Sequence, residues 1–250
     1  MTAINVERIK LFSTRSPYWC LLGIVAAAVM FALMAGLIDH GSQAQVAFAL
    51  SGVSIGQSVF MVLAALAVTT EYRFGTIRST FLATPHRTSV LLAKTVLLAL
   101  MGAVVGFVCA VGAFELTALL AARPPLPLTL SGELWRVVAG HAALYAVAAV
   151  IAVAVGSLLR HSAGAIAVLL LWPLLLEGLI GIIPKVGDKI GPWLPFRAAG
   201  AFVADTRAGI PRQLAVSTDG PSPIGGLLVF LGYAAVLWLI AAILLRRRDA

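Results

Sequence analysis

The residues best placed to act on another molecule lie in one polar segment, residues 71–88, between two long apolar runs. The segment begins with Glu71 and carries Arg73, Arg78 and Arg87. Basic residues in a short loop between membrane spans mark the cytoplasmic side. There the segment can bear on a soluble partner. The alternative interpretation is an ordinary basic loop.

The polar segment also contains residues that shape the backbone. Glu71 ends an apolar run, where we expect it to be hydrated and to pair with a basic residue. Gly75 permits a turn that a bulkier residue would resist. Thr84 and Pro85 are expected to break the segment before the next apolar run, since proline restricts the residue before it.

A second candidate for chemistry is Glu177, which follows Trp172 and Pro173 inside another apolar run. Ionisable residues within a span are costly and often functional. Because proline removes a backbone donor and kinks a helix, Glu177 can face a substrate path. The alternative places Glu177 near the outer interface, solvated or paired with a neighbour such as Lys185.

A third group of ionisable residues comprises Glu115, Arg136 and His141, at the facing ends of two apolar runs. A Glu115–Arg136 or Glu115–His141 contact is expected. We favour a structural pair that holds these ends together over a functional role.

Motifs for catalysis are not found in the sequence. It has no phosphate-binding G-x-x-x-x-G-K-[ST] loop and no G-x-S-x-G motif, so ATP hydrolysis by this chain is not expected. The four histidines are scattered, which makes a metal site unexpected. Cys20 and Cys109 both lie in apolar runs and are expected to be free thiols.

The elements that must position these residues are membrane helices. Hydrophobic residues make up 61% of the chain and charged residues 11%, and the mean hydropathy is +1.02. A soluble domain carries about 25% charged residues, so we predict an all-α integral membrane protein with a single domain over residues 1–250. The basic residues lie in short loops and not on one face, which argues against nucleic-acid binding. Six runs are long enough to cross a bilayer: 18–38, 46–70, 89–120, 134–159, 163–183 and 224–245.

Orientation follows from the lysines and arginines of the short loops, which are more frequent on the side of the N-terminus. Both termini are therefore predicted to be cytoplasmic. Residues 1–17 are expected to contain a short helix at the inner membrane surface, with a disordered basic tail as the alternative. The outer loop 184–223 includes residues 191–203, which are too apolar for a free loop. Because backbone at membrane depth must be shielded by protein, we expect residues 191–203 to pack on spans five and six.

Glycine pairs at four-residue spacing occur in the second run (Gly52, Gly56) and the third (Gly102, Gly106). Such pairs let helices approach closely. Internal packing and dimerisation explain them equally well.

Three strings of this sequence resemble the ABC-2 type permeases of bacterial ABC exporters. They are Glu-Tyr-Arg-Phe-Gly-Thr-Ile-Arg at 71–78, Ala-Thr-Pro-His-Arg at 83–87 and Leu-Leu-Ala-Lys at 91–94. The N-terminal pattern of Glu7, Lys10, Arg15 and Trp19 is similar to the start of the same family, and so is the plan of six spans. The alanine-rich composition with more Arg than Lys suggests an actinobacterial source.

The resemblance implies a division of labour. Two permease chains, identical or different, would form the membrane path, and two copies of a separate ATPase subunit would bind ATP and Mg. Residues 71–88 would be the principal coupling segment, with the N-terminal helix lying against it and short re-entrant helices before the last span. Contact with the ATPase would involve Glu71, Arg73, Phe74, Gly75, Thr76, Arg78, Pro85, Arg87 and, as a minor contact, Arg160.

The substrate path would lie between the two chains, lined by Phe60, Met61, Trp172, Pro173 and Glu177. An apolar cavity with few charges suits a lipophilic or amphipathic cargo, such as a drug, an antibiotic or a lipid, and export rests on the resemblance alone. The alternatives are a membrane scaffold or sensor without transport and, less favoured, an intramembrane enzyme. Apart from membrane lipids, no other partner or cofactor is expected.

Overall fold

The computed structural model describes residues 3–38, 43–83, 87–120, 132–204 and 220–247, which fold into helices without a strand. Six segments in these ranges are long and apolar enough to cross a membrane, which confirms the predicted all-α plan with six spans. The helices are α1 (Ala3–Phe12), α2 (Ser16–Ile38), α3 (Gln43–Arg73), α4 (Thr76–Ala83), α5 (Arg87–Leu120), α6 (Gly132–Leu159), α7 (Ser162–Leu171), α8 (Glu177–Ile182), α9 (Val186–Ile190), α10 (Pro195–Val203) and α11 (Pro223–Arg247).

The centre of the bundle is formed by α3 and α6. About 56% of the apolar window of α3 and 67% of that of α6 are buried within the chain, against 22% for α2 and α11. In a membrane helix a face that is apolar but unburied meets lipid or another chain. The helices α2 and α11 therefore carry much of the outer apolar surface.

The glycine pairs lie where helices of this one chain pack closely. A methyl group on Gly106 would come within 2.6 Å of the carbonyl oxygen of His141 in α6, and one on Gly102 within 3.0 Å of that of Tyr145. Gly52 faces α2, and Gly56 lies between α2 and the Tyr145 hydroxyl of α6. Internal packing therefore accounts for both pairs.

The α-helix of the fifth span is interrupted at Pro173, where the sequence predicted a kink. Between α7 and α8, residues Trp172–Leu176 form a wider π-helical turn with Pro173 at its start. Such a turn inserts an extra residue into the helical ladder and often accompanies a functional feature. Here it places Trp172 and Glu177 on the same side, within hydrogen-bonding distance.

After α8 the chain turns back through α9 and a single 3₁₀ turn (Gly191–Trp193) into α10. Helix α10 packs on α11, where the rings of Phe196 and Phe230 lie 5.4 Å apart. It also contacts α6, because Gly140 lies against Phe202 and Val203. The expected packing on the sixth span is thus confirmed, and the fourth span contributes as well. The fifth span meets α10 through Glu177, which accepts from the backbone N–H groups of Phe196 and Arg197.

Candidate functional site

Four charged side chains meet at the end of the bundle where α3 ends and α5 begins. Glu7 and Lys10 lie three residues apart on α1 and therefore share a face. Glu71 belongs to the last turn of α3, and Lys94 lies about two turns into α5. We call Glu7, Lys10, Glu71 and Lys94 the ionic cluster.

Each ammonium of the ionic cluster contacts both carboxylates. Lys94 donates to Glu71 Oε1 at 2.8 Å and to Glu7 Oε2. Lys10 lies 3.2 Å from Glu7 Oε1 and 3.2 Å from Glu71 Oε1. Lys10 also donates to the hydroxyl of Thr80 in α4 at 3.0 Å. One network thus joins α1, α3, α4 and α5.

Most of the ionic cluster is buried. The side chains of Glu7 and Lys94 are each 6% exposed and that of Glu71 is 10% exposed, whereas Lys10 is 37% exposed. The negative charges of two carboxylates and the positive charges of two ammonium groups cancel, and their attraction offsets the cost of removing each charge from water. The Oε2 atom of Glu71 is enclosed and has no hydrogen-bond donor among the described residues.

Lys10 has a pKa above its usual value. Burial of the ammonium lowers its pKa, but the attraction of the Glu71 and Glu7 carboxylates, together with their hydrogen bonds, raises it by more. The charged form of Lys10 is therefore the one that the fold stabilises.

The predicted pairing of Glu71 with a basic residue is confirmed, but Glu71 is buried instead of hydrated. In the sequence, Glu7, Lys10 and Lys94 stand out only as parts of the patterns that resemble the ABC-2 permeases, and those patterns assign them no role at this site. The signal that was available is the Glu7–Lys10 spacing, which places opposite charges on one face of a short helix.

The polar segment turns sharply after α3. Gly75 has φ +69°, a conformation in which glycine carries no steric cost, so the predicted turn is confirmed. Arg73 and Phe74 at the turn are exposed, and the guanidinium carbon of Arg73 lies 5.6 Å from the centre of the Phe74 ring.

Beyond the turn, α4 lies against the bundle with Ile77 buried. Thr76 begins α4 and Arg87 begins α5. The side chain of Arg78 and the whole of Pro85, including the expected break at Thr84–Pro85, lie outside what the structure describes.

The turn between α6 and α7 lies beside the end of α3. Arg160 adopts φ +53°, and its guanidinium carbon lies 5.0 Å from the centre of the Tyr72 ring. The hydroxyl of Ser162 is 3.0 Å from that of Thr69. Arg160 therefore lies beside Tyr72, the residue that stands between Glu71 and Arg73 in the sequence.

Phe60 and Met61, expected on a substrate path, face the interior of the bundle. Their exposed fractions are 0% and 1%, and the Phe60 ring lies 5.7 Å from that of Tyr145. They cannot line a cavity between two chains in this conformation, because other helices of the same chain cover them. Trp172 and Pro173 are partly exposed.

Glu177 is buried and serves as a helix cap in place of the expected lining of an open path. Its Oε1 accepts from Trp172 Nε1 at 3.1 Å and from the backbone N–H of Phe196 at 2.9 Å, and its Oε2 accepts from the N–H of Arg197 at 2.8 Å. These N–H groups belong to the first turn of α10, which has no partner for them within the helix.

The expected pairing of Glu115 with Arg136 or His141 is replaced by other contacts. Glu115 is exposed. Arg136 donates to the backbone carbonyls of Phe202 and Ala204, and His141 Nδ1 lies 2.9 Å from the Val137 carbonyl oxygen. Arg136 therefore anchors the end of α10, not the end of α5.

No group of three or more histidine, cysteine, aspartate or glutamate side chains suited to a metal ion occurs within the described ranges. Both cysteines are free thiols. No model of a known protein family matches the chain, and no curated protein matches it.

Proposed function

We propose that this chain is the membrane-spanning permease subunit of an ATP-driven exporter of the ABC-2 type. A separate ATPase subunit, present in two copies, would bind ATP and Mg and supply the energy. The chain would lie in the bacterial plasma membrane with both termini in the cytoplasm and would work as a dimer with a second permease chain. Its cargo would be lipophilic or amphipathic, such as a drug, an antibiotic or a lipid.

The observation that carries the proposal is the ionic cluster beneath the polar segment. A coupling segment that is moved by the ATPase must move the membrane spans with it, so it needs firm contacts with them. Lys10 contacts Thr80 of α4 and Glu71 of α3, and Lys94 extends the network into α5. Glu7, Glu71 and Lys94 are buried and mutually paired, so separating them is costly. Lys10, which is 37% exposed, connects them to Thr80 of α4. A force on α4 would therefore reach α1, α3 and α5 together.

The surface of the polar segment supports contact with a protein. Arg73 and Phe74 are exposed side by side, and Leu82 of α4 is 86% exposed. Arginine and aromatic side chains are the types that most often anchor protein interfaces. In this proposal they bind the ATPase, with Arg160 as the minor contact.

The other elements then take consistent places. Helix α1 would lie at the inner membrane surface, and α9 and α10 would form re-entrant helices over the outer exit. The substrate path would be lined by Trp172 and Pro173, and α10 would shift when the path opens. Phe60 and Met61 would pack behind the path, inside the bundle.

The test is an affinity purification of the tagged protein from its native membrane, followed by an ATPase assay of the eluate. We expect an ATPase to co-purify with the wild-type chain and to be released or uncoupled by Arg73→Glu/Phe74→Ala. The matched control is Lys189→Glu, a charge reversal at an exposed residue of α9, which should leave the ATPase bound.

A preparation without any ATPase, from cells that express the neighbouring genes, would contradict the proposal. It would favour the alternative of a membrane scaffold or sensor. Equal release by the Arg73→Glu/Phe74→Ala variant and by the control would contradict the placement of the coupling surface.

A further inference from the structure

A cavity of about 670 Å³ lies beside the ionic cluster, between α1, α3, α4 and α5. Its volume falls in the range of pockets that hold a small organic molecule, about 300–1,000 Å³. The cavity is partly open, and its walls belong to described residues of one chain. No sequence motif pointed to it.

The walls of the cavity change character along the helix axis. Leu63 and Leu66 of α3 and Leu97 and Leu98 of α5 line one end. Glu71 and the other members of the ionic cluster line the opposite end, about 12 Å away along α3 at 1.5 Å per residue. An occupant must therefore have an apolar part and a polar part at its two ends.

The hydroxyl groups of the polar end offer acceptors. Thr70 and Thr80 donate their hydroxyl protons to backbone carbonyls of their own helices. Ser13 and Thr14, which follow α1, donate theirs to carbonyls in the last turn of α1. A hydroxyl that donates internally keeps lone pairs for another donor. The polar end thus suits a molecule that brings donors of its own.

The charges of the polar end favour an uncharged head. The formal charges of the ionic cluster, two negative and two positive, sum to zero. Lys10, the most exposed of the four, disfavours a cation, and its ammonium already donates to Glu7, Glu71 and Thr80, so it has no donor left for an anion. An uncharged head that donates hydrogen bonds, through a hydroxyl or an amide group, meets these conditions.

We infer that this cavity binds a single-chain amphiphile whose uncharged head donates hydrogen bonds, as a glycerol hydroxyl does, its chain lying between α3 and α5. The inference does not depend on the proposed ATPase, because binding is measured with the permease chain alone.

The test uses a monoacylglycerol that carries a photoreactive diazirine in its acyl chain, added to the full chain in phosphatidylcholine nanodiscs. We expect cross-links in peptides that contain residues 63–67 or 97–98. Monooleoylglycerol should compete for them, and methyl oleate, which lacks hydroxyl donors, should compete roughly tenfold less well. Oleylamine, which carries a cationic head on the same chain, should also compete less well.

Ala67→Phe fills the cavity without changing a member of the ionic cluster, and it should abolish the cross-links. Ala103→Phe, at a partly buried residue of α5 that does not line the cavity, should leave them unchanged. Equal competition by all three lipids, or undiminished labelling of Ala67→Phe, would overturn the inference. If Ala67→Phe does not fold, as judged by size-exclusion chromatography, the competition series on the wild-type chain decides alone.

Discussion

Glu177 accepts a hydrogen bond from the indole N–H of Trp172 at 3.1 Å, and the same carboxylate caps the first turn of α10. One side chain therefore joins the π-helical turn of the fifth span to a short helix that follows it by almost twenty residues. Because Pro195 stands at the first position of α10 and has no N–H, the two N–H groups that Glu177 binds are the next ones available.

Loss of this cap should loosen α10 first. In Glu177→Ala two backbone N–H groups and the indole N–H lose their acceptor, at a cost of about 1–3 kcal/mol for each buried group. Hydrogen–deuterium exchange of peptides covering 195–203 should accelerate, and Glu177→Gln should fall between Glu177→Ala and the wild type. Glu115→Ala, at an exposed glutamate, is the control. Unchanged exchange in Glu177→Ala would show that α10 does not depend on the cap.

Removal of Lys94 should be among the most destabilising single changes in the chain. Lys94→Met leaves the buried carboxylates of Glu7 and Glu71 with Lys10 alone, and breaking a buried pair costs roughly 3–5 kcal/mol. The melting temperature in detergent should fall clearly. Lys189→Met removes an exposed ammonium and should melt like the wild type. A Lys94→Met variant with the wild-type melting temperature would contradict the energetic role of the cluster.

The stabilising effect of Lys10 should disappear at alkaline pH. The folded-state pKa of Lys10 is raised by the nearby carboxylates of Glu71 and Glu7 against the opposing effect of burial. Its contribution is therefore fully present below the unfolded-state pKa of about 10.4 and is lost as the pH rises through the higher folded-state value.

The measurement is the difference in melting temperature between the wild type and Lys10→Gln across pH 8 to about 11.5, a span set by that reference pKa. We expect the difference to be constant at the lower end and to shrink at the upper end. A difference that grows with pH would have the wrong sign and would refute the assignment.

The contact between α5 and α6 should tolerate no side chain at Gly106. A Cβ there would lie 2.6 Å from the His141 carbonyl oxygen and 2.8 Å from the Tyr145 ring, and such overpacking costs about 1–3 kcal/mol. Gly106→Ala should therefore lower the melting temperature. Gly112→Ala lies on the same helix with nothing within 4 Å of its Cβ, so it should be neutral or stabilising, since alanine favours a helix. Equal behaviour of the two variants would exclude close packing at Gly106.

The six spans could be predicted from the sequence because a helix that crosses a bilayer needs about 20 apolar residues, and the length of an apolar run is read directly from the hydropathy. The turn at Gly75 could also be predicted, because it depends on one glycine and its neighbours. That Glu71 would pair with some basic residue followed from its single charge. The sequence did not identify Lys94 as that partner, because 23 residues separate Lys94 from Glu71. Helical periodicity shows which residues share a helix face, but not which other helix packs against that face.

Glu177 shows the same limit more clearly. Its sequence neighbourhood indicated a distortion of the helix at Pro173 and a costly carboxyl group within the span. The structure has a π-helical turn at Trp172–Leu176 and buries Glu177. Its partners lie at Phe196 and Arg197, which a sequence reading can place beside Glu177 only if it already knows that the chain turns back after α8. Phe60 and Met61 were assigned to a path for a related reason, because an apolar residue in a span can face either the bundle or its surface.

The contact between Glu7 and Lys94 also constrains the order in which the protein is assembled. Glu7 emerges from the ribosome 87 residues before Lys94, so the first helix is made well before its partner in α5 exists. Lys10 cannot reach Glu71 before α3 is made, and Glu7 cannot reach Lys94 before α5 is made. The complete ionic cluster, which holds α1 against both helices, can therefore form only after α3 and α5 have been synthesised.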